Sequence, residues 1–124
     1  MNEPFFQDWL EYEPYGIQLN QKHEIFLSAM KQLTEWHITN CSEYKQVLKT
    51  LDVDTKKIEK LSDIPFLPVR LFKEFDLKST SKENIFKTLT SSGTSGQQVS
   101  KIYLDRETAL LQSKVLSRLI RELL

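Results

Sequence analysis

The chain has 124 residues with 17 Lys+Arg against 17 Asp+Glu, a length suited to one ordinary domain and a net charge of zero. That balance argues against a nucleic-acid binder working through bulk positive charge. Apolar residues at 40% and charged residues at 27%, with seven Phe, four Tyr and two Trp to build a core, argue against disorder.

With Cys41 as its single cysteine and His23 and His37 as its two histidines, the chain has neither an internal disulfide nor a metal-ligand set of recognisable spacing. No stretch approaches the roughly 20 apolar residues of a membrane span, and the acidic, aromatic start lacks the regions of a signal peptide. The expected setting is soluble and cytoplasmic.

Residues 1–19 carry Phe5, Phe6, Trp9, Tyr12 and Tyr15 among acids, interrupted by Pro4, Pro14 and Gly16, which predicts a short helical turn and a docking arm. From Asn20, a good N-cap, Phe26, Leu27, Met30, Leu33 and Trp36 recur at three- and four-residue steps and predict a helix over 20–37. Ser42 is placed to cap a second helix with Tyr44, Val47, Leu48 and Leu51 on its face, and Asp54 a short third one bearing Ile58 and Leu61. Pro65 and Pro68 remove backbone donors and impose an extended path, after which Val69 to Phe75 reads as a short helix or turn. Phe86 to Ser91 and Val99 to Leu104 read as two strands. Asp105 is placed to cap a last helix with Ala109, Leu110, Val115, Leu116, Leu119, Ile120 and Leu123 on its apolar face. The expected architecture is α/β: residues 1–63 form a mainly helical layer, and residues 64–124 add a Pro-rich segment, a β-hairpin and an amphipathic helix, the start of a larger domain.

The chemistry concentrates between those strands. Gly93 and Gly96 allow positive backbone dihedrals that let successive N–H groups converge, and clustered hydroxyls add donors at the same place. Seen alone, such a Ser/Gly stretch reads as a flexible hairpin loop. Two bounding strands, Lys101 on the strand that leaves the loop, and hydroxyls at Thr90, Ser91, Ser92, Thr94 and Ser95 favour a phosphate-binding loop instead. A Walker loop does not match, because Gly96 precedes Gln97-Gln98 and a strand rather than Lys, Ser/Thr and a helix.

The run Ser91-Ser92-Gly93-Thr94-Ser95-Gly96 with Lys101 resembles the phosphate-binding loop of the adenylate-forming enzymes, and the upstream segment from Pro65 through Phe72-Lys73-Glu74-Phe75 resembles the LuxE-type acyl-protein synthetases. The resemblance spans most of the chain but only about the first third of a complete member. It implies the partial fold of an adenylate-forming enzyme. It also implies ATP-dependent activation of a carboxylic acid, a fatty acid in this branch, as its acyl-adenylate, then transfer to a cysteine and on to a partner reductase. By matched position, Thr90, Ser91, Ser92, Gly93, Thr94, Ser95 and Gly96 would hold the ATP phosphates, with Lys101 as their basic partner. Mg²⁺ is implied as well, but its acidic ligands, the adenine pocket, the mobile C-terminal lobe and the acceptor cysteine belong to parts that follow residue 124. Cys41 does not match the acceptor and reads as an ordinary buried thiol.

The bland readings prevail elsewhere. His23 and His37 lie too far apart along one helix to share a metal and suit a surface or helix-dipole role. Asp52, Asp54, Glu59 and Asp63 among Lys56, Lys57 and Lys60 read as a solvated face, and the N-terminal aromatics as core or interface packing. Arg70, Lys73 and Lys78 could extend a phosphate surface, although snorkelling is the commoner role of such side chains. Two other functions fit the same residues: a truncated, non-catalytic binding or assembly module that self-associates through its last helix, and a binder of some other phosphorylated ligand.

Overall fold

The computed structural model describes residues 6–93, 96 and 98–124. Phe5, Thr94 and Ser95 lie outside the described residues. The elements are a 3-10 turn Gln7–Glu11, helix α1 Leu19–Asn40, helix α2 Ser42–Thr50, helix α3 Leu71–Glu74, strand β1 Lys87–Thr90, strand β2 Lys101–Leu104 and helix α4 Arg106–Leu123, with further 3-10 turns at Thr55–Lys57, Leu61–Asp63 and Lys82–Asn84. Helices dominate, and the two strands form an antiparallel hairpin in the register Lys87↔Leu104 to Thr90↔Lys101.

α1 begins one residue before the expected Asn20. Gln18 holds the cap position in extended backbone without a side-chain bond, while Asn20 Oδ1 accepts from the Gln21 N–H at 2.8 Å. Likewise Cys41 occupies the cap of α2, and Ser42 opens the helix with its hydroxyl on the Glu43 carboxylate at 2.8 Å.

The core is small and lies where α1 meets α2 and the turns after it. Ala29, Cys41, Leu48 and Ile58 are buried there together with Thr34. Lys31 Nζ donates to the Ile58 carbonyl at 3.0 Å, so a surface cation on α1 satisfies a backbone acceptor on the turn that packs beneath it. Cys41 is buried, as its composition class predicts. The apolar stripe of α1 is only partly covered, since Phe26 is 47% exposed.

Helix α2 stops without glycine. The Val53 N–H bonds the Leu48 carbonyl and the Asp52 N–H bonds Lys49, a Schellman arrangement with Asp52 in the left-handed position at φ +54°. Asp tolerates that backbone better than most side chains do. The turn carries Leu51 out to solvent, which corrects its expected place on the buried face.

The third helix expected after Asp54 is instead a pair of 3-10 turns. Asp54 does cap the first, accepting from the Lys56 N–H at 3.1 Å, and Asp63 accepts from the Glu59 and Lys60 N–H groups at 3.1 and 3.0 Å. These bonds hold the Asp63 carboxyl below its ordinary pKa, the Glu59 bond contributing most. Part of the acidic set is therefore turn chemistry and not only a solvated face.

His37 lies in the last turn of α1, where the dipole role places it, but is half-buried rather than on the surface. Its Nδ1 pairs with Ser79 Oγ at 2.6 Å, and its ring meets Tyr44 edge-on at 6.0 Å. Burial lowers its pKa from 6.5. The unfolded chain therefore binds the proton more readily, and this residue's contribution to stability is present above about pH 6.5 and lost as pH falls below it.

The hairpin is exposed along β1 and buried only at Leu104 of β2. α4 starts at once beyond it, where Asp105 Oδ1 accepts from the Thr108 N–H at 2.7 Å as expected. Ala109 is buried, but Leu110, Leu116, Ile120 and Leu123 of the apolar stripe stand exposed. No helix among the described residues is long and apolar enough to cross a membrane.

Leu48→Ala should lower stability by about 2 to 5 kcal/mol through loss of contacts and the cavity left behind, whereas Leu51→Ala should cost less than about 1 kcal/mol. Urea titration followed by circular dichroism checks the pair, and equal losses would refute the placement of Leu51. The melting temperature should also fall between pH 7.5 and 5.5, with a shallower slope in His37→Asn.

Candidate functional site

The Ser/Thr/Gly loop is clamped where it leaves the hairpin. The Ser91 N–H donates to the Ser100 carbonyl at 3.1 Å, and the Ser100 N–H returns to Ser91 Oγ at 2.9 Å. A side-chain hydroxyl thus replaces a backbone carbonyl in the last rung and closes the loop base. Ser91 keeps its own O–H as a donor.

Of the residues expected to bind phosphate, Thr90, Ser91, Ser92, Gly93, Gly96 and Lys101 are described, and all are exposed. Thr90 and Lys101 pair across the hairpin, so the cation sits at the mouth of the loop. Gly96 has φ +91°, and a Cβ built there would meet nothing within 4 Å. Glycine is needed at that position for its dihedral and not for room.

Tyr103 and Asp76, which sequence reasoning passed over, complete the neighbourhood together with Lys78. The Tyr103 hydroxyl donates to Asp76 Oδ1 at 2.7 Å, tying β2 to the segment after α3, and Lys78 Nζ lies 5.4 Å from the Tyr103 ring centroid. The Tyr103 bond, helped by Lys101 and Lys78, holds the Asp76 carboxyl below its ordinary pKa, and the same bond raises the Tyr103 phenol. Tyr103 was legible in principle, because residues two apart on a strand share a face and Lys101 precedes it by two. Asp76 carried no signal, since its partner is distant in sequence.

Ser100 is the other omission. Its Oγ is buried without a hydrogen-bond partner among the described residues. An unsatisfied buried hydroxyl costs roughly 1 to 3 kcal/mol, so a ligand oxygen reaching the loop base would offset that loss.

The basic residues considered as an extended phosphate surface separate. Lys78 lies by Tyr103, whereas Arg70 pairs with Glu74 at 2.5 Å one helical turn away, and Lys73 is exposed on α3. No group of three or more His, Cys, Asp or Glu among the described residues could hold a metal ion. The residues present suit phosphate oxygens, through N–H groups, hydroxyls and one cation, but they do not suit Mg²⁺.

Comparison with known proteins gives a family. The model of the LuxE acyl-protein synthetases matches residues 6–124. A long-chain-fatty-acid–luciferin-component ligase of Vibrio harveyi is 30% identical over 83 residues, which cover 67% of this chain and 22% of that protein. A ligase of the same name from Photorhabdus luminescens is 34% identical over 82 residues, 66% of each chain. The chain thus spans about a fifth of the length of the first of these relatives. No solved structure matches.

Ser91→Ala removes the acceptor that closes the loop base and should speed amide exchange at Ser100 about three- to tenfold, the equivalent of roughly 0.5 to 1.5 kcal/mol. Ser92→Ala should leave that amide unchanged. Equal behaviour of the two variants in hydrogen-exchange NMR would refute the clamp.

Proposed function

The chain belongs to the LuxE acyl-protein synthetase family, and on that premise we propose that the complete polypeptide activates a long-chain fatty acid with ATP as its acyl-adenylate and passes the acyl group to a protein cysteine. The observation that carries the reading is the family match over residues 6–124, and the names of two relatives as fatty-acid ligases support it. ATP as co-substrate puts the reaction in the cytoplasm, and a partner reductase would take the acyl group onward.

In this reading the loop holds the nucleotide's phosphates. Attack of a carboxylate on the α-phosphorus builds negative charge on the departing pyrophosphate, and donors already fixed in place stabilise that charge without reorganising. The candidates are the N–H groups and hydroxyls of Thr90, Ser91, Ser92, Gly93, Thr94, Ser95 and Gly96. Lys101 at the loop mouth adds a compact positive charge that does not constrain orientation. Ser100 Oγ, buried and unpartnered among the described residues, is a further donor at the loop base. Cys41 is buried beside α2, as an acceptor thiol would not be, so the acyl-accepting cysteine is assigned to another part of the complete polypeptide.

A second reading, a non-catalytic assembly module, draws on the exposed stripe of α4, where Leu116 is 58% and Leu123 74% exposed. The two readings part in one comparison. With the complete polypeptide, Lys101→Ala and Gly93→Val should reduce fatty-acid-dependent exchange of pyrophosphate into ATP at least about tenfold, with melting temperature nearly unchanged. Unaltered exchange in both variants would remove the loop from the reaction. No exchange with any acid, together with concentration-dependent self-association, would favour the assembly module.

A further inference from the structure

The two faces of the hairpin differ in chemistry. Side chains two apart on a strand share a face, and so do residues directly opposite on antiparallel strands. Lys101, Tyr103, Thr90 and Thr88 therefore stand together on one face, and Leu89, Ile102 and Leu104 take the other. The polar face is the one that the segment after α3 meets. Asp76 Oδ1 accepts there from the Tyr103 hydroxyl at 2.7 Å, and Lys78 Nζ lies 5.4 Å from the centroid of the same ring.

These contacts confine a lysine that would otherwise be free to swing. The Asp76 bond fixes the far end of the Tyr103 ring, and the ring face attracts the ammonium of Lys78 to one position on the strand. A ring occupies only one side of an ammonium, so N–H donors of Lys78 remain for an anion. Lys101 is two residues before Tyr103 on the same strand, about 7 Å along it, on the side nearer the loop. Among the described residues neither lysine forms an ion pair within 4 Å. Both charges nevertheless reach Asp76, where they help the Tyr103 bond to hold the carboxyl below its ordinary pKa. The charge of Lys78 is also felt at Glu43 of α2, as the least of the causes that lower that carboxyl.

We infer that Lys78 is a second phosphate-contacting residue of the loop site, and that Tyr103 and Asp76 are positioning residues that hold it beside Lys101. The inference rests on the phosphate reading above and adds to it a selection by phosphate number. A single phosphate at the loop mouth meets Lys101, whereas two linked phosphates that extend along the polar face meet Lys78 as well. Asp76 has a second effect, because its negative charge opposes the two lysines and weakens their hold on a departing polyanion.

The test is calorimetric titration of the complete polypeptide with inorganic pyrophosphate and with orthophosphate. Lys78→Met should weaken pyrophosphate about tenfold and orthophosphate less than about twofold, and Lys78→Arg should restore most of the loss. Tyr103→Phe keeps the ring but removes the Asp76 bond, and should weaken pyrophosphate about threefold. Asp76→Asn keeps an acceptor for Tyr103 and removes the charge, so pyrophosphate should bind about two- to fivefold tighter, an effect that a purely structural brace does not produce. Lys22→Met, the same loss of charge on the first turn of α1, should change neither affinity by more than about twofold. Circular dichroism checks that the variants keep their helices. Equal binding of the two anions by the unaltered protein, or a Lys78→Met effect no larger than that of Lys22→Met, would overturn the assignment. Exchange of pyrophosphate into ATP separates this failure from failure of the ligase reading: fatty-acid-dependent exchange with an unaltered pyrophosphate KM in Lys78→Met sinks the role of Lys78 alone. Pyrophosphate binding that Lys78→Met weakens and Lys78→Arg restores, in a polypeptide without exchange, sinks the ligase reading and leaves the two-lysine site.

Discussion

The candidate phosphate loop depends on one anchoring point, Leu104. A two-stranded hairpin is marginal in water on its own, and both faces of this one are largely exposed. Leu104 is 7% exposed, its carbonyl accepts the Phe86 N–H at 2.8 Å, and Asp105 beside it caps α4. The start of β1, the end of β2 and the start of α4 are thereby tied at a single buried site. The opposite end of the hairpin is closed by the Ser91 and Ser100 bonds, and the Tyr103 to Asp76 bond braces its side. Polar bonds near the loop thus do the positioning that apolar packing does at Leu104.

That division suits a site for charged ligands. Exposed donors at the loop cost nothing to desolvate until a ligand arrives, and a phosphate entering them replaces water with fixed dipoles. Lys101 is part of a small charged group, since Asp76 and Lys78 stand near the same strand. The field at the loop mouth is accordingly that of two lysines partly opposed by one carboxylate.

The helical half follows different rules. Its buried residues gather where α1, α2 and the following turns meet, and the Lys31 to Ile58 bond shows a cation spent on a structural acceptor. Beyond that core much apolar surface is left uncovered, on the stripe of α4 and in a groove where the arm, α1 and α4 meet. The Vibrio harveyi relative is longer than this chain, since the 83 matched residues are 22% of its length.

What the sequence by itself determined is what local chemistry controls. The period of α1 and α4, the Asp54 and Asp105 caps and the two strands flanking a Ser/Thr/Gly loop were all legible, because caps and periodicity act within a few residues. The family resemblance was legible for the same reason, being carried by short motifs. What only the tertiary structure decided involves partners distant along the chain or choices among similar local energies. Asp52 replaced glycine in the Schellman turn, two 3-10 turns replaced a helix after Asp54, and Leu51 and Phe26 faced solvent despite fitting an apolar period. His37 found Ser79, Tyr103 found Asp76, and the arm's aromatics met α1 and α4 around a groove. Periodicity reports which side chains share a face, but only the packed chain decides which of those faces has a neighbour.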